Sequence, residues 1–214
     1  ILDSNVSEAE KEAQQKDLKA YQGIDEMLEL YCQNVELQSE KKTVDTVLEV
    51  PKTLDGFEDF FEFRDRVSGK HYAFPKEGAA ISEKTADMLG VKVGDTVELK
   101  KGDTIVKVKI SVIVENYVRH YLYLTTETYK SLFHETPDYN QLLLRYQDTS
   151  KDYEDALGEK IMKYDSVAAI SFTSDLIGQI DDMLRSLDIV IVVLIVSAGL
   201  LAFVVLYNLN NINI

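Results

Sequence analysis

The sequence predicts an α+β domain followed by a long helix that reaches into a membrane. Residues up to about 172 alternate between strand-like and helix-like spacing of apolar residues, which is typical of a mixed fold. The run from Ile189 to Tyr207 then contains no charge, and at about 1.5 Å per residue it crosses most of a hydrocarbon core of about 30 Å. With 214 residues, 45% apolar and 28% charged, the chain suits one ordinary domain or two small ones.

Charge and cysteine content exclude several classes of protein. The 37 acidic and 23 basic side chains leave a net charge of −14, which repels phosphate backbones and argues against a nucleic-acid partner. The single cysteine, Cys32, cannot form an internal disulfide or a cysteine-based metal site. Because the sequence begins at Ile1 rather than Met, we expect a piece of a larger polypeptide.

The N-terminal quarter predicts one helix and a long β-hairpin. Ser7 and Glu10 match an S-x-x-E capping box, which opens a polar helix over roughly 8–21. Apolar residues at alternate positions then predict two strands, over 28–37 and 44–50, joined by a polar link.

Residues 54–114 predict an aromatic segment, a short helix and a second hairpin. The aromatic segment covers 54–74. Ser82 is a candidate N-cap for the helix that follows, and Gly90 ends it. Apolar alternation on both sides of the turn 101–103 indicates the hairpin.

The rest of the soluble portion continues the alternation of strands and helices. Capping hydroxyls and apolar spacing predict a strand over 121–124, a helix from Thr125 or Thr126 to Phe133, a strand over 142–146, a helix from Ser150 to about Lys163, and a strand over 167–172.

A helix that begins near Thr173 carries apolar residues at a heptad spacing. They step by 4, 3 and 4 residues, at Leu176, Ile180, Met183 and Leu187, and we call them the stalk seam. The seam fits pairing with another helix above the membrane, or packing against the domain's own body. Nothing breaks the helix before Asn208, so we expect one continuous rod.

The apolar run favours insertion into a bilayer by a few kcal/mol, because Val, Ile, Leu and Phe outweigh its few polar residues. The alternative is a buried central helix of a soluble protein, which needs apolar cover that this polar chain does not supply. A signal peptide is excluded because the run lies near the C-terminal end. Ala198 and Ala202 lie four residues apart and favour close helix contact within the membrane.

No catalytic, cofactor-binding or metal residues are predicted. A metal site would have to use Glu115, His120 and His134, but these residues lack the spacing of metal ligands. Acid–base chemistry would have to use Asp87, Asp95 and Asp103, but these aspartates follow turn and cap patterns. The chain has no G-x-x-x-x-G-K-[ST] phosphate loop. We therefore expect that it is not an enzyme.

One short segment concentrates aromatic rings with polar tips, a composition enriched at protein interfaces. Its members are Tyr117, Arg119, His120, Tyr121 and Tyr123, which form a candidate partner surface. If the segment is a strand, half of these side chains must face inward, so the alternative is packing in the core and at its edge.

Three runs carry a resemblance to a known family. They are GAAISEKTADMLGVKVGDTVEL at 78–99, VIVENYVRHYLY at 112–123 and SAGLLAFVVLYNLNNINI at 197–214. Together they resemble the FtsX-like permease subunits of bacterial ABC transporters, including the MacB-type exporters. The resemblance extends over most of the chain from about Leu48.

The resemblance implies an architecture. It assigns 1–55 and 117–172 to a discontinuous porter-like α/β domain, 56–116 to an inserted β-rich subdomain, 173–188 to a stalk helix and 189–207 to a transmembrane helix. The domain is then extracellular on a bacterial cell membrane.

The resemblance also implies partners: a separate ABC-type ATPase subunit, further permease helices or a second permease copy, and a peptide, lipid or cell-wall protein as ligand. The function implied is coupling of the cytoplasmic ATPase to export, to lipid or peptide handling, or to signalling outside the membrane. A single-pass receptor or adhesion domain without an ATPase is the alternative, and a membrane-anchored hydrolase is a third, weaker interpretation.

Overall fold

The computed structural model describes residues 1–2, 8–40 and 42–212. The chain divides into two compact units, Ile1–Ile170 and Ser171–Ile214. The first unit contains all of the strands named below and four helices, and the second consists mainly of one helix. The predicted α+β class with a long C-terminal helix is therefore confirmed.

The helices and strands alternate along the first unit. The helices are α1 (Glu8–Lys19), α2 (Glu83–Leu89), α3 (Thr126–Phe133), α4 (Lys151–Ile161) and, in the second unit, α5 (Thr173–Ile212). The strands are β1 (Ile24–Gln38), β2 (Thr43–Pro51), β3 (Ala79–Ser82), β4 (Thr96–Lys101), β5 (Thr104–Val114), β6 (Tyr121–Tyr123) and β7 (Gln141–Tyr146).

The strands form one mixed sheet in the order β2-β6-β3-β5-β4-β1-β7, with a further pairing between β2 and β1. Because β1 pairs with both β2 and β4, six strands form a closed circuit, and β1 is antiparallel to both of these neighbours. Strand β1 has 15 residues, which is long enough to pair with three neighbouring strands. Its second half pairs with β2 and β4, and its first half pairs with β7.

Side chains that alternate along the strands form two apolar clusters on the two faces of this sheet. One cluster packs against α2 and α3 and includes Leu37, Leu48 and Leu99. The other cluster joins Leu28, Leu30 and Tyr123 to the aromatic rings of the 54–74 segment. The aromatic segment is therefore the cover of one sheet face.

The predicted hairpins are confirmed. Strands β1 and β2 pair from Leu30↔Pro51 to Gln38↔Thr43, and β4 pairs with β5 around the turn at 101–104. Strand β1 begins at Ile24, four residues before the predicted start, because its first half pairs with β7 and is held there by long-range contacts. Helix α1 has the predicted place, while its candidate cap Ser7 lies outside the described residues.

Two of the predicted helix caps are made by side chains. The Thr125 hydroxyl accepts a hydrogen bond from the Thr128 amide at 3.1 Å, and the Ser150 hydroxyl accepts one from the Tyr153 amide at 3.4 Å. Ser82 occupies the N-cap position of α2, but no cap hydrogen bond involves its side chain. Its hydroxyl instead lies 2.6 Å from the Thr85 hydroxyl, in a buried site.

Strand β3 has no counterpart among the sequence-based predictions. It has only four residues and all four are buried, so it shows no alternation of apolar and polar residues. It lies between β5 and β6. Gly78 makes this entry possible, since its φ is +73° and a Cβ there would lie 2.5 Å from the Lys109 carbonyl oxygen.

The predicted strand over 167–172 is wrong. Only Val167 forms a β-bridge, with Leu2, and the residues after it up to the start of α5 are not in a strand. The segment is apolar enough to resemble a strand, but a strand also needs a partner along its length.

The ranges implied by the resemblance divide the sequence differently from the contacts. Range 56–116 supplies β3, β4 and β5, which hydrogen-bond to β6 and β1 from outside the range. Ranges 173–188 and 189–207 belong to one uninterrupted helix, α5.

Candidate functional site

Helix α5 has the length and composition needed to cross a membrane. Its 38 residues from Thr173 to Asn210 include a strongly apolar window whose side chains are exposed in this structure. The run from Ile189 to Tyr207 lies wholly inside the helix, so its backbone donors and acceptors are paired within the segment, as a bilayer requires.

The stalk seam lies on the same helix, before the apolar run. Its four side chains, Leu176, Ile180, Met183 and Leu187, are 41–59% exposed, so they form an apolar stripe that is open to contact. Ala198 and Ala202 lie one turn apart farther along the helix. Pairing of the seam or of these alanines with another helix stays a prediction.

The candidate partner surface lies at the start of β6 and in the loop before it. Tyr117, 72% exposed, and Arg119 project from the loop, and His120 and Tyr121 are half-buried. Tyr123 is only 3% exposed, because it points into the aromatic cluster on the covered sheet face. The exposed part of this surface is therefore the loop.

Both ends of the loop 115–120 are fixed. At one end, Arg64 Nε donates to Glu115 Oε2 at 2.6 Å. At the other end, the His120 carbonyl accepts from the Val47 amide at 2.8 Å, and His120 Nδ1 lies 3.2 Å from the Thr85 hydroxyl. Between them Arg119 has φ +63°, a left-handed conformation that is uncommon for a residue with a side chain.

A buried carboxyl group lies next to this loop. Glu49 on β2 is 7% exposed, and its Oε2 atom has no hydrogen-bond partner among the described residues. The strand pairing places Cys32 of β1 on one side of Glu49 and Tyr123 of β6 on the other. Loss of solvation raises the pKa of Glu49 to about 7, although the positive charge of Arg119 acts to lower it.

The groups around Glu49 are neutral near pH 7. Burial raises the pKa of the Cys32 thiol to about 11 and raises the pKa of both Tyr121 and Tyr123. Arg119 is therefore the cation that acts on the carboxyl within this part of the described chain. Glu49 was not predicted as a site residue, because a glutamate at an alternate position of a strand ordinarily faces water.

A cleft of about 690 Å³ lies in the aromatic segment. Its floor is a set of packed rings in which Phe57 stacks on Phe61 at 4.7 Å between ring centroids and meets Phe63 and Phe74 edge to face. Charged and polar side chains at its edge are Glu58, Glu62, His71 and Lys76. The cleft suits an apolar group with a polar end.

The residues that the structure describes contain no group of side chains suited to a metal ion. No group of three or more His, Cys, Asp or Glu side chains lies close enough to hold a metal ion there. Asp95 accepts a hydrogen bond from the Lys92 amide at 2.8 Å, as a turn residue does. His134 has φ +57° at the C-terminal end of α3, a helix-ending position.

No family model and no curated protein matches this chain. Among solved structures, the extracellular domain of the noncanonical ABC-type transporter YknZ from Gram-positive bacteria is 17% identical, with a TM-score of 0.48, over 72% of this chain and 79% of that one. The periplasmic region of MacB from Actinobacillus actinomycetemcomitans is 13% identical, with a TM-score of 0.48, over 85% and 84% of the two chains.

A third similar structure is a domain of a protein described as a permease, from Porphyromonas gingivalis. It is 16% identical, with a TM-score of 0.39, over 76% of this chain and 77% of that one. All three are described as domains or regions of transporter or permease proteins.

Proposed function

We propose that the chain is the external domain and the following transmembrane helix of an FtsX-like permease, working with a separate ABC-type ATPase on the bacterial cell membrane. The domain itself is not an enzyme in this proposal. Its role is to couple movement of the membrane helices to an event outside the membrane. The resemblance of the three sequence runs supports the proposal.

The structural observation that carries the proposal is the continuity of α5. The helix runs from Thr173 to Ile212 without interruption, so the stalk seam and the apolar run belong to one rod of about 60 Å at about 1.5 Å per residue. A displacement of the membrane part therefore reaches Thr173 without a hinge of irregular structure. A single-pass receptor needs no such stiff connection.

The experiment uses the full-length protein that contains this chain. It is co-expressed with the ATP-binding subunit from the neighbouring gene and purified in a mild detergent. We expect the two to co-purify, and we expect ATP hydrolysis by the complex. A chain that is stable in detergent but never retains an ATPase supports the single-pass receptor instead.

We also propose that the aromatic cleft takes an apolar part of the ligand. Phe61 is half-buried at its floor, where it stacks on Phe57, and Phe61→Ser makes the floor polar. Because this change also removes packing, circular dichroism and thermal melting of the variant are recorded first to confirm that it folds. In the full permease we expect this change to reduce the biological output while ATP hydrolysis continues.

The matched control for the cleft is Val67→Ser, since Val67 is 82% exposed in the same segment and does not line the cleft. It should behave as wild type. If Phe61→Ser also behaves as wild type, the cleft is not the ligand site, whereas the pairing with an ATPase is unaffected by that result.

A further inference from the structure

We propose that Glu49 and Arg119 form a proton-controlled latch on the loop 115–120. When Glu49 loses its proton, the buried carboxylate draws Arg119 inward and the loop closes over it. When Glu49 is protonated, Arg119 is released to solvent. The latch thus sets how the exposed part of the candidate partner surface is presented.

The first part of the latch is an unsatisfied buried oxygen. Glu49 Oε2 is buried and has no hydrogen-bond partner among the described residues. A buried polar group of this kind costs free energy, and the cost grows when the group is ionised. A cation that reaches Glu49 therefore binds to a group that is already desolvated.

The second part is the position of Arg119. Its side chain is exposed and no hydrogen bond to Glu49 is formed, so the latch is open in this structure. Its charge nevertheless acts on three groups of the cluster, Glu49, Cys32 and Tyr121. The strand register places Arg119 two residues before Tyr121, the partner of Val47, and Glu49 two residues after Val47, so the loop that carries the guanidinium adjoins the strand that carries the carboxyl.

The third part is the loop backbone between two fixed ends. Glu115 is held by Arg64, and His120 is held by Val47 and Thr85. Within the loop, the Val118 amide donates to Asn116 Oδ1 at 3.0 Å and the Tyr117 hydroxyl contacts Glu115, whereas no hydrogen bond from the described residues holds the Arg119 side chain. Arg119 has a left-handed backbone conformation, which is uncommon for a residue with a side chain.

The groups that face Glu49 define which titration controls the latch. Strand β1 presents Cys32, strand β6 presents Tyr121 and Tyr123, and the loop presents Arg119. The thiol and both phenols stay neutral at physiological pH, because burial raises the pKa of each. Glu49 is then the carboxyl of this cluster whose charge changes near pH 7. The amino group of Ile1 acts on Cys32, and burial lowers its pKa, so the Glu49→Gln variant separates the titration of Glu49 from that of Ile1.

The experiment places a reporter on the loop. The chain contains no tryptophan, so Tyr117→Trp introduces a single one, two residues from Arg119, at an exposed site. The change removes the contact of the Tyr117 hydroxyl with Glu115 but leaves the Arg64–Glu115 ion pair in place. Tryptophan emission of the full chain in detergent micelles is recorded from about pH 5 to about pH 9. We expect one transition near neutral pH as the loop closes.

Glu49→Gln in the Tyr117→Trp background should abolish the transition, since glutamine stays neutral. Arg119→Gln should abolish the closing movement and leave the emission flat. His120→Gln is the matched control, because it removes the imidazole of the same loop while a glutamine amide can still hydrogen-bond to the Thr85 hydroxyl. The transition should survive this change.

The proposal is overturned if the transition persists in either Glu49→Gln or Arg119→Gln, if it disappears only in His120→Gln, or if the protein with native Glu49 and Arg119 shows no transition. Should Glu49→Gln fail to fold, the exposed Arg119→Gln decides: a transition that persists in it contradicts the latch. Circular dichroism at each pH confirms that the fold is retained.

Discussion

At the scale of single residues, burial of the Glu49 carboxyl affects the stability of the domain. Strand β2 directs most of its apolar side chains to one face of the sheet and Glu49 to the other face. Both faces are covered, so the Glu49 carboxyl is removed from water together with the apolar side chains. The carboxyl therefore bears a desolvation cost that no hydrogen bond to Oε2 offsets.

Because desolvation disfavours the charged form of Glu49, the free energy of unfolding depends on pH. Its pKa is raised from 4.5 to about 7, so its contribution to the free energy of unfolding is complete below about pH 4.5 and is lost as the pH rises through 7. A rise in pKa from 4.5 to about 7 corresponds to a loss of roughly 3 kcal/mol in the free energy of unfolding at pH values above 7. We expect Glu49→Gln to melt at a higher temperature than wild type at pH 8 and at a similar one at pH 5.

Thermal melting of the full chain in mild detergent, followed by circular dichroism at both pH values, measures the difference. Glu36→Gln is the control, because Glu36 is exposed and its contact with Lys100 at 3.1 Å is a surface ion pair. An equal gain for both variants at pH 8 would show that net charge, and not burial, is responsible.

Gly78 is a second residue with a specific structural role. Gly78→Ala should destabilise the domain by about 2 kcal/mol or more, because it combines a positive φ with a clash against the Lys109 carbonyl. Gly102→Ala has the same unfavourable sign of φ but open space around its Cβ, so it should cost only about 1 kcal/mol. Equal melting temperatures for the two variants contradict the clash.

At the scale of secondary-structure elements, α5 begins with a part of mixed charged and apolar residues and continues as a part that is almost wholly apolar. Its seam residues are interspersed with charged side chains, and a run without charge follows. The charged residues from Ile180 onward are Asp181, Asp182, Arg185 and Asp188. In the proposed permease, the change from mixed to uniformly apolar composition at Ile189 is where we expect the helix to enter the bilayer.

A charge in the middle of the apolar run should impair its insertion. Ala198→Asp places a carboxylate near the bilayer centre at a cost of roughly 2.5 to 3.5 kcal/mol. A glycosylation-mapping assay of the segment measures the inserted fraction, with Ala198→Leu as the control that should insert as well as wild type. Full integration of the aspartate variant would count against a transmembrane helix.

For the whole molecule, the division into two units predicts independent folding of the first. Both apolar clusters consist of residues before Ser171, among the buried residues that the structure describes. A chain ending at Ile170 should be soluble and should melt cooperatively. Aggregation, or a molten state without cooperative melting, would show that the domain needs its helix.

The last prediction concerns coupling and rests on the proposed permease. Ile180→Asp with Leu187→Asp removes the apolar seam while leaving the membrane run intact. In the full permease with its ATPase, we expect normal assembly and ATP hydrolysis but loss of biological output, because the moving contact is gone.

The control for this prediction is Asp181→Asn with Asp182→Asn, which changes neighbouring residues of the same helix but none of the seam. It should leave both activities near the wild-type level. If the seam variant also keeps both, the seam transmits nothing. If the seam variant loses expression, the seam is required for assembly.

The amino-acid sequence by itself determined the elements whose signals are local. Helix α5 and its apolar run follow from composition, the β1–β2 and β4–β5 hairpins follow from alternation around a turn, and α3 and α4 follow from their capping hydroxyls. Each of these is stabilised by contacts between residues close in sequence, so a short window contains the information.

Only the tertiary structure decided the closed circuit of strands, the short buried strand β3, and the burial of Glu49 and Tyr123. These depend on pairings between distant segments, such as β2 with β6 and β3 with β5. A strand shows which side chains share a face, but whether that face is covered depends on another part of the chain. Glu49 is buried between Cys32 of β1 and Tyr123 of β6, which come from distant parts of the sequence, so its burial could not be read from β2 alone.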